Sequence, residues 1–129
     1  MKEAGLAPGK LGIYNAAHIY NIVSTMNVPQ CRVLFASTGV KGDDYIPSYY
    51  VDELIAASSI NTAPIETIDA FVSNGEMREK LPLNEEEISA HFNSAKQAGV
   101  DLDAALEKLK EDGLEAFKDA FSEILQELE

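Results

Sequence analysis

Apolar residues recur at spacings of three and four from Ile13 to Met26, with Ala16, Ala17, Tyr20 and Val23 on the same face. This periodicity predicts a helix that begins at about Leu11 and buries one stripe. Pro29 follows shortly after the pattern stops. The run 33–36, Val-Leu-Phe-Ala, has no alternation. It predicts a strand over about 32–37 buried on both faces, as in a parallel sheet covered by helices. A loop over 38–48, a short helix over about 49–56 and a second short strand over 59–62 follow. Thr62 reads as the N-cap of another helix, with Pro64 in its first turn, Ile65, Ile68, Ala70, Phe71 and Val72 available to pack, and Gly75 as its stop. Helix, strand, helix, strand, helix is the order of parallel β/α units, whose strands need crossover connections.

Polarity rises over 76–83 and Pro82 interrupts the chain, which reads as a linker or an extended crossing segment. Asn84, with Glu87 three residues on, is a capping-box-like start for a helix carrying Ile88, His91, Phe92, Ala95 and Ala98, and Gly99 ends it. Asp101 caps a helix with Leu102, Ala105, Leu106 and Leu109, which Gly113 is expected to break. A last helix follows, with Leu114, Phe117, Ala120, Phe121, Ile124, Leu125 and Leu128 in one stripe. These three helices are expected to pack on each other and on the β/α part. The organisation is therefore 1–75 as β/α units and 76–129 as linker and helices.

With 129 residues, 46% of them apolar, one domain with a modest core is expected. The single cysteine, Cys31, cannot form an internal disulfide; beside the apolar run it reads as a buried, reduced thiol of a cytoplasmic protein. No apolar segment is long enough to cross a bilayer, and the start Met-Lys-Glu-Ala-Gly lacks the apolar core of a secretory signal. Ten Lys and Arg face twenty-two Asp and Glu, a net charge of −12, which argues against nucleic acid as a partner. Residues 1–75 carry net −3 and residues 76–129 net −9, as expected of solvated helix faces.

Chemistry concentrates where the first strand ends. The run Cys31-Arg32-Val33-Leu34-Phe35-Ala36-Ser37-Thr38-Gly39-Val40-Lys41-Gly42 stops at hydroxyls and glycine, with a lysine within reach. Amides of 37–39, two hydroxyls and the Lys41 ammonium suit an anion such as a phosphate, since successive N–H groups in a turn form an anion-binding concavity. An ordinary strand-to-loop transition is the alternative from spacing alone. The pair Asp43-Asp44 reads as solvated. His18, at the edge of the first helix's buried face, and His91, at a helix surface, share no spacing with a recognised metal site. No Gly-x-Ser-x-Gly elbow, Cys-x-x-Cys pair, dinucleotide fingerprint or Walker loop is present, so no cofactor is expected.

The segments Leu34-Phe35-Ala36-Ser37-Thr38-Gly39-Val40-Lys41, Tyr50-Val51-Asp52-Glu53-Leu54-Ile55 and Asn61-Thr62-Ala63-Pro64 resemble, in this order, the closing part of transaldolases of the bacterial long-chain type. Gly12-Ile13-Tyr14-Asn15-Ala16, Gly99-Val100-Asp101-Leu102-Asp103 and the stretch from Gly113 to Phe121 are similar to the same family. The resemblance implies the C-terminal part of a (β/α)₈ barrel, with 32–37 as strand seven, 59–62 as strand eight and a helical tail, mostly helical overall. It implies transfer of a dihydroxyacetone unit between sugar phosphates through a lysine Schiff base, as in the pentose phosphate pathway. Loops after strands seven and eight often hold phosphate in such barrels, so Ser37 and Lys41 are the implied phosphate-binding residues. Many family members use arginine there; a lysine supplies a point charge without the bidentate fork. The family's Schiff-base lysine and its carboxylates lie on earlier strands, so the resemblance places them upstream of Met1 and leaves the isolated chain inactive. Exposed strand edges are expected to drive self-association. A non-catalytic acidic α/β module acting through partner contacts is the alternative.

Overall fold

A computed structural model describes residues 9–128, which form two compact units, one running to Phe92 and the other from Asn93. The elements are α1 (Lys10–Met26), β1 (Leu34–Phe35), α2 (Tyr49–Glu53), β2 (Ile60–Asn61), α3 (Ile65–Asn74), α4 (Glu85–Gln97) and α5 (Leu102–Glu127). The chain is mostly helical, with one two-stranded parallel sheet.

In the first unit α1 buries Ile13, Ala17 and Tyr20, the centre of the stripe expected from its periodicity, while Met26 at its end is exposed. Asn27, in the left-handed region at φ 47°, ends the helix. Around that stripe close Phe35 of β1, Leu54 after α2, Leu81 of the 76–83 crossing segment and Ile88 of α4. In the sheet Leu34 pairs with Ile60 and Phe35 with Asn61. The Ile60 and Thr62 amides donate to the Val33 and Phe35 carbonyls, both at 2.9 Å. Farther along, Ala56 and Leu81 form an isolated parallel bridge, so the crossing segment is seated against the end of α2.

Several expectations need correction. β1 is covered on one face: Phe35 is 5% exposed and rests near Tyr20, whereas Leu34 is 50% exposed. Successive strand side chains point to opposite faces, and α1 covers only the one that carries Phe35. Cys31 is exposed, because it lies in the connection before β1 and outside the packed core. Thr62 does not cap α3. Its amide extends the ladder from β2, and Pro64 takes the N-cap position, its carbonyl accepting from Thr67 and Ile68 at 3.0 Å. Asn84 does cap α4 through Oδ1, which accepts from the Glu86 amide at 2.8 Å. Glu87 serves elsewhere, accepting from the Tyr14 hydroxyl at 2.7 Å.

In the second unit α4 stops at a Schellman turn. Gly99 sits at φ 82°, its amide bonding Lys96 O and the Val100 amide bonding Ala95 O, each at 3.0 Å. Asp101 then caps α5 by accepting from the Ala104 amide at 3.0 Å. Gly113 does not break this helix, which runs 26 residues without interruption. An interior glycine costs about 1 kcal/mol relative to alanine. The surface pairs Lys110–Glu107, Lys108–Asp112 and Lys118–Glu115 flank it and offset part of that cost. The apolar stripe of α5 was expected to pack, yet none of its residues is buried and Phe117 is 79% exposed. Among the described residues, no helix is long and apolar enough to cross a membrane.

Candidate functional site

The loop that leaves β1 carries the residues expected to hold an anion. Ser37, at φ 57°, is exposed at its start, and Lys41 is exposed four residues on. Between them Thr38 turns inward and is 3% exposed. Its hydroxyl is shared between Asn61 Oδ1 at 2.8 Å and the Thr62 carbonyl at 2.9 Å. The start of the loop is thereby tied to the end of β2, and the ends of two parallel strands are held side by side. Ligands of α/β folds bind outside the carboxyl ends of such strands. Among the described residues Lys41 forms no ion pair, so its ammonium is available to an anion. Asp43 and Asp44 are exposed farther along the same loop.

The far end of the loop is held by aromatic rings. Tyr45 stacks on Tyr49 with ring centroids 4.4 Å apart and planes within 10°. Tyr49 meets Tyr50 edge-on at 5.3 Å. The Lys10 ammonium lies 5.6 Å from the Tyr49 centroid and also grips the Glu53 carboxylate. Burial works against the Lys10 charge, but the hydrogen bond and charge of Glu53, helped by Tyr49, hold its pKa above the ordinary lysine value. Gly9, at φ 84°, leaves room for this arrangement: a Cβ there would lie 3.1 Å from Tyr50 Oη and 3.3 Å from Tyr45 Cε2. The cluster of tyrosines in 45–50 was the only sequence signal for this clasp. The Lys10–Glu53 link spans forty-three positions and leaves no local pattern.

The histidines lie in a separate group between α1 and α4. His91, expected at a helix surface, is half-buried and stacks on Tyr14 at 4.2 Å. His18 Nδ1 lies 3.2 Å from Glu85 Oε2. Asn21 donates to the Leu83 carbonyl at 2.8 Å and to Glu85 at 2.6 Å. An open cavity of about 530 Å³ runs along α1 beside His18, Asn21, Ser24, Pro82 and Glu85 and includes none of the β1 loop. Among the described residues, no three His, Cys, Asp or Glu are grouped to hold a metal ion.

Burial, and secondarily the Lys10 charge, holds the His91 pKa below the ordinary 6.5. The folded state thus favours neutral His91, and the stabilisation is present above about pH 6.5 and is lost as pH falls through the lowered value. Between about pH 7 and pH 5, the thermal midpoint should therefore fall more for the parent chain than for His91→Phe, which keeps the ring stack. Parallel midpoint curves for the two proteins would exclude this origin of acid sensitivity.

A sequence model of the family described as Transaldolase/Fructose-6-phosphate aldolase matches residues 2–128. A protein named Transaldolase from Campylobacter jejuni subsp. jejuni serotype O:23/36 (strain 81-176) is 44% identical over 119 residues, 92% of this chain and 36% of that protein. Proteins of the same name from Helicobacter pylori (strain Shi470) and Neisseria meningitidis serogroup C / serotype 2a (strain ATCC 700532 / DSM 15464 / FAM18) are 36% and 35% identical. Those alignments cover 90% and 82% of this chain, and 37% and 30% of the two relatives. The chain spans about a third of the length of the curated relatives it matches. With the family model covering the strand pair, the β1 loop and the helices alike, this chain belongs to the transaldolase/fructose-6-phosphate aldolase family.

Proposed function

We propose that this chain is the C-terminal part of a cytoplasmic transaldolase that moves a dihydroxyacetone unit between sugar phosphates through a lysine Schiff base. In this reading β1 and β2 are the seventh and eighth strands of a (β/α)₈ barrel, residues 1–75 the last β/α units, and residues 76–129 the linker and helical tail. Ser37 and Lys41 hold the substrate phosphate. The observation that carries the reading is the pinning of the β1 loop to the end of β2 through Thr38. That junction is where barrels of this architecture commonly hold phosphate, and it fixes the loop before ligand arrives.

The Schiff-base lysine belongs to the part of the enzyme preceding this chain. A nucleophilic lysine has to be desolvated enough to lose its proton near neutral pH. Among the described lysines, Lys10 and Lys80 are half-buried and the others are exposed. Lys10 is held cationic by Glu53, the reverse of what a nucleophile needs. Borohydride reduction in the presence of fructose 6-phosphate should label the full reading frame covalently and leave the 129-residue chain unlabelled. Labelling of the short chain would overturn the assignment.

Two parallel strands leave outer edges and apolar faces such as Leu34 uncovered. The isolated chain should therefore self-associate. Light scattering is expected to give a mass above 14.0 kDa that rises with concentration. A constant monomer mass across a wide concentration range would rule this out.

A further inference from the structure

The two faces of the β1–β2 sheet meet different surroundings. Leu34 pairs with Ile60 and Phe35 with Asn61, and the Thr62 amide continues the ladder by donating to the Phe35 carbonyl at 2.9 Å. In this register Ala36 lies beside Thr62. Alternation then puts Phe35 and Asn61 on one face and Leu34, Ala36, Ile60 and Thr62 on the other. The first face is the packed one, where Phe35 is buried and Asn61 accepts from the buried Thr38. On the second, Leu34, Ala36 and Thr62 are all exposed.

Two backbone bonds fix Thr62 in place. Its amide is held by Phe35, and its carbonyl accepts from the Thr38 hydroxyl at 2.9 Å. The Thr62 hydroxyl is 3.4 Å from the Phe35 carbonyl, long for an O–H···O bond, so a better-placed partner can replace that contact. Beside it Ala36 carries only a methyl group, which leaves room for a ligand over the hydroxyl.

Position along the strands sets which part of a sugar phosphate this hydroxyl meets. Ser37 and Lys41, in the proposed site, hold the phosphate just beyond Ala36. Thr62 is level with Ala36, one residue or about 3.3 Å short of Ser37 along the strand. An ester phosphate and the second carbon of its chain are separated by a similar span. In the barrel reading the face of Leu34, Ala36, Ile60 and Thr62 is the lumen, and the sugar chain has to enter it to reach the Schiff-base lysine.

Resting on those barrel and phosphate readings, we propose that Thr62 is a specificity-determining residue in direct contact with substrate: its hydroxyl bonds the hydroxyl on the carbon next to the phosphate ester, C5 of fructose 6-phosphate. Ser37 and Lys41 recognise the phosphate, and Thr62 recognises the hydroxylated chain behind it.

The test uses the full reading frame with two donor sugars, fructose 6-phosphate and 5-deoxyfructose 6-phosphate, and reads the ratio of their kcat/KM values. Both values come from one preparation, so the ratio does not depend on how much of a variant folds. Thr62→Val keeps the β-branched shape and removes the hydroxyl. It should lower kcat/KM for fructose 6-phosphate about tenfold, the upper end for one neutral hydrogen bond. It should leave the 5-deoxy sugar unchanged, so that the preference of the parent enzyme for the 5-hydroxyl collapses. Thr62→Ser restores a hydroxyl and should restore the preference, and Thr62→Ala should behave as the valine variant does. A parental ratio in both Thr62→Val and Thr62→Ala, whether each activity is unchanged or both fall equally, would overturn the proposal. Lys41→Ala separates this claim from the one beneath it. If Lys41→Ala raises KM while the Thr62 variants keep the parental ratio, only the role of Thr62 fails; if Lys41→Ala is silent, the phosphate reading fails and this inference with it.

Discussion

Replacing Lys41 with alanine in the full reading frame should lower kcat/KM for sugar phosphates about 10- to 100-fold, the value of a charge-assisted hydrogen bond to a phosphate oxygen. Most of the loss should appear in KM. In the proposed reaction the phosphate is distant from the bond that is made and broken, so the contact would be present in ground state and transition state alike. The Lys41 side chain is exposed and projects from a loop. Its removal should leave the unfolding midpoint within the small range of ordinary surface substitutions. Lys41→Arg sharpens the test, since a guanidinium restores the bidentate fork and should hold KM at or below the parent value. An alanine variant with parental KM would remove Lys41 from the site.

The largest stability effect is expected at Ile88. This side chain is 1% exposed and closes the core from α4 against Ile13, Ala17 and Tyr20 of α1 and Leu81 of the crossing segment. Truncation to alanine leaves a cavity that a close-packed interior refills only in part. Ile88→Ala should therefore lose about 2–5 kcal/mol in urea unfolding, with the denaturant slope unchanged. Domains of this size have about 5–15 kcal/mol in all, so the variant should be partly unfolded at modest temperature. Leu109, in the exposed stripe of α5, is the matched control. Leu109→Ala should cost well under half as much, and equal losses at the two positions would contradict the core described above.

Periodicity revealed what local physics decides. α1 follows from its spacing of three and four, and the Gly99 and Asp101 signals mark the turn between α4 and α5 because capping is settled within a few residues. The strand-end loop was legible for the same reason: an apolar run that stops at hydroxyls and glycine announces a change of environment. Gly113 misled because a local propensity of about 1 kcal/mol is outweighed by the helical residues on either side of it. Thr62 misled because two backbone roles, ladder and cap, competed for one residue, and the choice depends on a strand twenty-seven positions away. Cys31 lies two residues before the apolar run, where pattern does not separate core from connection. The clasp of Lys10, Tyr45, Tyr49 and Glu53 joins segments that only the folded chain brings together, as does the stacking of Tyr14 on His91.

The pairing of β1 with β2 also sets an order of events during synthesis. Leu34 meets Ile60, and Thr38 is tied to Asn61 and Thr62, so neither the sheet nor the loop anchor is a local structure. Closing so long a segment precedes any reward from the contacts it makes. On the ribosome, α1 can form as soon as its own residues emerge. The loop bearing Lys41 has to wait until Thr62 has cleared the exit tunnel, so the nascent chain carries Ser37 and Lys41, the residues proposed to bind an anion, for some time before the loop anchor that would present them exists.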